Sequence, residues 1–228
     1  MKHNPIIVAL DVESAAEARA LVERLGGRVD FYKVGLELYA AAGMDFAREL
    51  MAGGKMVFLD LKLYDIPETV KRAVAQVARM GVRFLTVHAV GQAMRAAVEG
   101  RAGSDLKLLA VTVLTSFGPE DLEEQGIRGT AAELVERRAR KAVEVGMDGV
   151  VASPLEAAAV RRAAGAQAIV VTPGVRSAGA ARGDQKRVAT PAEAVRNGAD
   201  YVVMGRQITR AADPAAEAAR VLEEIAGA

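Results

Sequence analysis

The chain has 228 residues, of which 51% are hydrophobic and 26% charged, a composition that allows a sizeable core under a solvated surface. Thirty basic residues against 29 acidic ones leave a formal charge of +1, so we expect neither nucleic acid nor a membrane as a partner. The absence of cysteine excludes disulfides, thiolate catalysis and Cys-ligated zinc, and two histidines nearly exclude a multi-histidine metal site.

No segment resembles a targeting or membrane-spanning sequence. The first apolar run, residues 6–10, is too short for the apolar region of a signal peptide. No later run reaches the ~18 apolar residues that a membrane helix needs. We therefore expect a cytoplasmic protein.

Short aliphatic runs alternate with longer Ala-, Glu- and Arg-rich stretches of helical period, a pattern typical of βαβ units around a parallel sheet. Eight strands are predicted, the number that closes a (β/α)8 barrel. They cover residues 6–10, 31–35, 56–60, 84–88, 106–113, 149–152, 168–172 and 201–204. The predicted helices include residues 15–25, 40–51, 68–80, 131–145 and 215–226.

A closed barrel and an open doubly wound sheet share this alternation. An open sheet would normally carry a Gly-x-Gly-x-x-Gly turn after its first strand, whereas Leu10-Asp11-Val12-Glu13-Ser14 contains no glycine. No segment has the composition of an interdomain linker. We therefore predict an α/β protein with one (β/α)8 barrel domain over residues 1–228, and a mobile functional loop at the irregular segment 176–186.

Charged residues end the third predicted strand, in Phe58-Leu59-Asp60-Leu61-Lys62-Leu63-Tyr64-Asp65-Ile66-Pro67. Unpaired charges are costly to bury, so Asp60, Lys62 and Asp65 indicate catalysis, with a structural ion-pair network as the alternative. If the strand continues through Lys62, alternation places Asp60 and Lys62 on the same side. An ammonium between carboxylates stays charged and can donate a proton.

Other polar residues end neighbouring strands, where barrel enzymes place their active sites. Alone, Lys33 would more often be a solvated strand end, and Asp11 could cap the following helix. Beside the charged cluster, both are predicted site residues, with Asp11 suited to a substrate hydroxyl. His88 ends an apolar strand and is expected to be a hydrogen-bonded core or rim residue more often than a catalyst.

The last strands end in sequences suited to an anion. Gly205 allows backbone N–H groups to approach a phosphate, and Arg206 can bind one through two hydrogen bonds. Arg176 ends the preceding strand in a similar way, and Gln185 closes the irregular loop. Together they predict a phosphate site. The charged runs 136–141 and 161–162 are predicted to be solvated helix faces.

In this order, the motifs resemble orotidine 5′-phosphate decarboxylases of the bacterial type. The resemblance implies a homodimeric (β/α)8 barrel with active sites at the interface. Such a barrel would convert orotidine 5′-monophosphate to UMP and CO2 in pyrimidine biosynthesis, with neither metal nor organic cofactor. The resemblance is carried by Ala9-Leu10-Asp11, Lys33-Val34-Gly35, Asp60-Leu61-Lys62-x-x-Asp65-Ile66-Pro67, Thr86-Val87-His88-Ala89, Val111-Thr112-Val113-Leu114-Thr115-Ser116, Val171-Thr172-Pro173-Gly174-Val175-Arg176, Gly183-Asp184-Gln185 and Gly205-Arg206.

The resemblance also implies roles for these residues. Lys62 would protonate C6 as CO2 leaves, and Asp60 would face the departing carboxylate. Asp11 and Lys33 would contact the ribose region. Asp65 and Thr69 would reach into the neighbouring subunit's site, and Thr115 would lie beside the pyrimidine. The phosphate would be held by Arg176, Gln185, Gly205 and Arg206.

Two positions depart from the family pattern, namely Tyr64 and Glu68, and Glu68 adds a negative charge near the site.

Two alternative functions stay open. Related phosphosugar enzymes use Mg²⁺ to stabilise an enediolate, but here Lys33 stands where they carry an acidic residue and would repel the metal. A non-catalytic phosphosugar-binding barrel would need the phosphate site but not the cluster of Asp60, Lys62 and Asp65.

Overall fold

The computed structural model describes residues 4–179 and 188–227, and eight parallel strands of this part form a closed barrel in chain order. β8 pairs with β1 through the register Ile7↔Val203, which closes the sheet. The predicted (β/α)8 architecture is therefore confirmed. The strands are β1 (Ile6–Ala9), β2 (Phe31–Gly35), β3 (Met56–Leu63), β4 (Phe84–His88), β5 (Lys107–Val111), β6 (Gly149–Val151), β7 (Ile169–Thr172) and β8 (Tyr201–Met204).

Helices connect the strands. α2 begins at Leu36, earlier than predicted, and its first turns are separated from the rest by a break at Gly43 (φ 62°), a conformation that favours glycine. No helix among residues 4–179 and 188–227 is long and apolar enough to cross a membrane. The helices are α1 (Ala15–Leu25), α2 (Leu36–Ala52), α3 (Pro67–Ala78), α4 (Gly91–Arg101), α5 (Pro119–Glu124), α6 (Ala131–Glu144), α7 (Ala157–Ala164), α8 (Pro191–Arg196), α9 (Arg206–Thr209) and α10 (Pro214–Ala226).

Apolar side chains form two layers, one between strands and helices and one inside the barrel. Along β3, successive side chains alternate between these two layers. Phe58 points into the barrel, and Leu59 points towards the helices. Asp60 therefore faces inward, above an interior filled by packed aromatic rings. Phe58 and Phe84 meet edge to face at 5.8 Å, and Phe31 and Phe84 at 5.0 Å. Above this packed interior, a polar cleft opens at the carboxyl ends of the strands.

Two arginines predicted to be solvated have structural roles instead. Arg161 donates hydrogen bonds to the carbonyls of Ala168 and Gly198 and pairs with Asp200 at 2.7 Å. Arg138 donates to the carbonyl of Thr112. A guanidinium carries five donors on a long apolar stem, so it can reach loop carbonyls that have no strand or helix partner. The prediction of a solvated face was wrong for these two residues.

Candidate active site

β3 departs from regular strand geometry where its charged residues lie. Its pairing with β4 is Leu59↔Leu85 and then Leu63↔Val87, so β3 contains extra residues between these two points. Lys62 has φ 50°, a left-handed conformation that is strained for a residue other than glycine. The prediction that Asp60 and Lys62 share a side is confirmed, with Lys62 Nζ 2.8 Å from Asp60 Oδ2, but regular strand geometry does not continue through Lys62.

Charges of alternating sign lie side by side across β1, β2 and β3. Lys33 Nζ lies 2.8 Å from Asp11 Oδ1 and 3.9 Å from Asp60 Oδ2. Asp60 Oδ2 in turn accepts a hydrogen bond from Lys62 Nζ. The ammonium that lies between two carboxylates is therefore Lys33, and each charge has an opposite neighbour, with Lys33 buried and Asp11 exposed. We call Asp11, Lys33, Asp60 and Lys62 the charge array.

Gly35 leaves space for the Lys33 ammonium because it has no side chain. Gly35 is opposite Asp60 in the register of β2 and β3. A Cβ atom at this position would lie 2.7 Å from Lys33 Nζ and 3.2 Å from Asp11 Oδ1. Any larger residue would therefore push the Lys33 ammonium away from its carboxylate partners.

A cleft of about 760 Å³ joins the charge array to the predicted phosphate residues. The same cleft is lined by Gly174, Arg176, Gly205 and Arg206. Burial and the neighbouring Arg206 guanidinium both lower the pKa of Arg176. Two neighbouring guanidinium groups beside a cleft are a suitable place for an anion.

Side chains outside the predicted set hold together the segments that carry Arg176 and Arg206. Ser177 N donates to Gln207 Oε1 at 3.0 Å, and Gln207 Nε2 donates back to Ser177 Oγ at 2.9 Å. Two carboxylates of α10 complete the network, because Glu217 accepts from Gln207 at 2.7 Å and Glu224 accepts from Ser177 at 2.6 Å. The segment after β7 is thereby fixed to α9 and α10. The only sequence signal was the position of Ser177 and Gln207 next to Arg176 and Arg206.

Other predicted residues lie apart from this cleft. Asp65 is exposed and accepts a hydrogen bond from the backbone N–H of Ile66, and Thr69 is exposed in the first turn of α3. Thr115 is partly buried in the connection that follows β5. Glu68 is exposed and pairs with Arg72 at 3.6 Å, which partly offsets its added charge. Gln185 lies outside the described residues, as does most of the loop predicted at 176–186.

Metal-ligating side chains are not gathered into a cluster in the described part of the chain. No group of three or more His, Cys, Asp or Glu residues there has the arrangement of a metal site. At the rim, the carboxylates of Asp11 and Asp60 flank the Lys33 ammonium instead.

His88 is half-buried at the end of β4, where its ring meets that of Tyr64 edge to face at 6.0 Å. Burial lowers the pKa of His88, and the positive charges of Lys62 and Arg138 lower it further, against the opposing effect of Asp60. The imidazole is therefore neutral at neutral pH, which adds no further positive charge beside Lys62.

Fold and site together define a (β/α)8 barrel with a charged cleft at the carboxyl ends of its strands, the face on which barrel enzymes carry their active sites. A family model described as "Orotidine 5'-phosphate decarboxylase / HUMPS family" matches residues 4–221. The chain belongs to this family.

Individual relatives agree with the family match. The orotidine 5′-phosphate decarboxylase of Nitrobacter winogradskyi is 56% identical over 223 residues, covering 98% of this chain and 93% of that protein. The enzyme of the same name from Methylobacterium sp. (strain 4-46) is 54% identical, with 98% and 96% covered. The crystal structure of orotidine 5′-phosphate decarboxylase from Lactobacillus acidophilus superposes with a TM-score of 0.86 at 38% identity, covering 98% of this chain and 99% of that one.

Protonation of His88 should destabilise the fold. In the unfolded chain His88 titrates near pH 6.5, whereas its folded pKa is lower. Between these two values the unfolded state binds more protons, so stability falls as pH falls through this window. The free energy of unfolding, measured with urea, should depend less on pH in His88→Asn than in the wild type. His3→Asn is the histidine control. Equal slopes in the wild type and His88→Asn would contradict the buried neutral imidazole.

Proposed function

We propose that the chain decarboxylates orotidine 5′-monophosphate to UMP and CO2, the carboxy-lyase step of pyrimidine biosynthesis. The observation that carries this proposal is a single cleft lined by both the charge array and two arginines. A nucleotide with a carboxylate on its base and a phosphate on its ribose matches those two groups of residues. The relatives that match nearly the whole chain carry this activity in their names. A biosynthetic role of this kind also supports a cytoplasmic location.

The chemistry requires a positive charge at C6. When CO2 leaves, the electron pair of the broken C–C bond remains on C6 in an orbital with no adjacent electron sink, so only a nearby charge can stabilise it. The Lys62 ammonium, held by Asp60 at 2.8 Å, supplies that charge without reorganisation. Lys62 then gives its proton to C6, which produces UMP and leaves a neutral amine.

Asp60 adds a smaller effect. Placed opposite the substrate carboxylate, it would repel it by ~4 kcal/mol at 4 Å with an effective dielectric constant near 20. Enzymes supply ~8–23 kcal/mol in total, so this repulsion is a minor part of the acceleration. Preorganised positive charge, above all the Lys62 ammonium, therefore carries most of the proposed mechanism.

The rest of the substrate would be bound away from the reacting bond. Asp11 and Lys33 can hydrogen-bond ribose hydroxyls, and Arg176, Gly205, Arg206 and Gln185 would hold the phosphate. Contacts remote from the reacting bond help catalysis when their binding energy holds C6 against the array. Thr115 would lie beside the pyrimidine.

The charge array also distinguishes this reaction from magnesium-dependent chemistry in related barrels. Lys33 Nζ lies between Asp11 and Asp60, so a positive charge already fills the space between the two rim carboxylates. A divalent cation there would have to displace that ammonium. This placement supports decarboxylation without a metal.

Lys62→Ala should lower kcat by at least ~10³-fold, because it removes both the proton donor and the charge at C6. The measurement is the loss of orotidine 5′-monophosphate absorbance after exhaustive treatment with a chelator. Lys141→Ala, which changes an exposed lysine on α6, is the control and should retain wild-type activity. Undiminished activity of Lys62→Ala would refute the proton donor, and a wild type that requires Mg²⁺ would support the enediolate chemistry instead.

The phosphate assignment predicts selective loss of activity. Arg206→Ala should lower kcat/KM for orotidine 5′-monophosphate by ~10²-fold or more, since a charge-assisted phosphate contact is lost. The much slower reaction of the nucleoside orotidine should change little, as should both reactions in the control Arg162→Ala on α7. An equal loss on nucleotide and nucleoside would show that Arg206 does not bind the phosphate.

We also propose a homodimer with active sites at the interface. Three large apolar side chains that follow β2 and β3 are exposed, namely Leu36, Tyr64 and Ile66, at 59%, 61% and 66% of their surface. Such exposure on the segments next to the charge array suits a covering partner. Asp65 and Thr69 share this exposed segment, which supports their proposed reach into the partner's active site.

A shared site predicts complementation between inactive variants. Each shared site would combine Lys62 of one chain with Asp65 of the other. In a mixed dimer of Lys62→Ala and Asp65→Ala, one of the two sites should therefore have both residues intact. An equal mixture after subunit exchange should then recover about a quarter of wild-type activity. Each variant alone, treated identically, is the control, and native mass spectrometry measures the mixed dimer. No recovery in a sample that contains mixed dimers would contradict the shared site.

A further inference from the structure

Thr86 has a fully buried side chain in the middle of β4. It lies between Phe84 and His88 on the inward face of that strand, beside Asp60 on β3. A buried hydroxyl must find hydrogen-bond partners, and Thr86 finds two. Its Oγ1 donates to Asp60 Oδ1 and accepts from the backbone N–H of Lys62, each at 2.9 Å.

The first partner is the carboxylate at the centre of the charge array. Asp60 Oδ2 accepts from Lys62 Nζ at 2.8 Å and lies 3.9 Å from Lys33 Nζ. The hydrogen bond from Thr86 holds the other oxygen, Oδ1. With both oxygens held, the carboxylate plane cannot rotate without breaking a hydrogen bond, so the position of both ammonium groups depends on Thr86 as well.

The second partner is the strained backbone of Lys62. Extra residues in β3 between Leu59 and Leu63 interrupt its ladder with β4. The Thr86 hydroxyl accepts the Lys62 N–H at this interruption, in place of a β4 carbonyl. The left-handed φ of 50° at Lys62 persists only if its surroundings hold it, and this hydrogen bond is such a contact.

We propose that Thr86 is a positioning residue that fixes the Asp60 side chain and the Lys62 backbone together, so that Lys62 Nζ is aimed at the C6 atom of the substrate. This inference rests on the proposed decarboxylation. Thr86 lies beneath the array and contacts neither the ribose nor the phosphate end of the cleft. Its contribution therefore falls on the chemical step and not on substrate binding.

The test compares Thr86→Val, which keeps the shape and removes the hydroxyl, with Thr86→Ser, which keeps the hydroxyl. Loss of alignment should lower kcat of Thr86→Val by roughly 100-fold, with KM changed less than about threefold. Thr86→Ser should recover most of kcat. The dissociation constant for UMP, which lacks the reacting carboxylate, should stay near the wild-type value in both variants.

Thr172→Val is the matched control, because Thr172 is an equally buried strand threonine whose hydroxyl faces the carbonyl of Tyr201 at 3.4 Å, away from the array. It should retain kcat. Urea unfolding reports whether each variant folds, and Thr86→Ala replaces Thr86→Val if the added methyl prevents folding.

Three outcomes would overturn the inference. The first is full kcat in a folded Thr86→Val or Thr86→Ala protein, and the second is an equal loss of kcat in Thr86→Ser. The third is a loss confined to KM and UMP affinity, since it would place Thr86 in binding. Failure of the proposed function is distinguishable, because the wild type itself would then leave orotidine 5′-monophosphate unchanged.

Discussion

The structure of the site depends on one carboxylate that two ammonium groups share. Asp60 Oδ2 lies 2.8 Å from Lys62 Nζ and 3.9 Å from Lys33 Nζ, on top of a barrel interior filled by aromatic rings. The Asp60 side chain is only 15% exposed, so its charge needs opposite charges nearby. Without Asp60, Lys62 would lose the carboxylate that it pairs with, and Lys33 would keep only Asp11. The carboxylate between the two lysines therefore stabilises the pair.

This requirement explains several features of the fold. The array draws its members from the ends of three adjacent strands, so the strand register must be fixed to within a fraction of a residue spacing. Gly35 is opposite Asp60 and leaves the space that Lys33 Nζ occupies. The irregular end of β3 turns Lys62 towards Asp60, and Thr86 holds that turn from β4. The strained backbone of Lys62 and the absence of a side chain at Gly35 are therefore both part of the site.

Local composition predicted the barrel well, because buried parallel strands are short, aliphatic and regularly spaced. It also predicted which polar residues reach the rim, because every strand of a parallel barrel ends on the same face. It failed where the decisive contact is distant along the chain. Arg138 resembles any helix-surface arginine until its carbonyl partner after β5 is known. Thr86 resembles an ordinary strand threonine, since only the register of β3 against β4 reveals its two partners.

The two groups of charges in the cleft differ in electrostatic character. Burial and Arg206 lower the pKa of Arg176, so these two arginines repel each other. In the proposed function, a phosphate would relieve that repulsion on binding. In the array the charges are already paired, and a substrate carboxylate would meet Asp60 as a like charge. That mismatch would disappear when the carboxylate leaves as neutral CO2, and the negative charge left on C6 would face Lys62. The proposed cleft would thus become more complementary as the bond breaks, which is the condition for stabilising a transition state over the substrate.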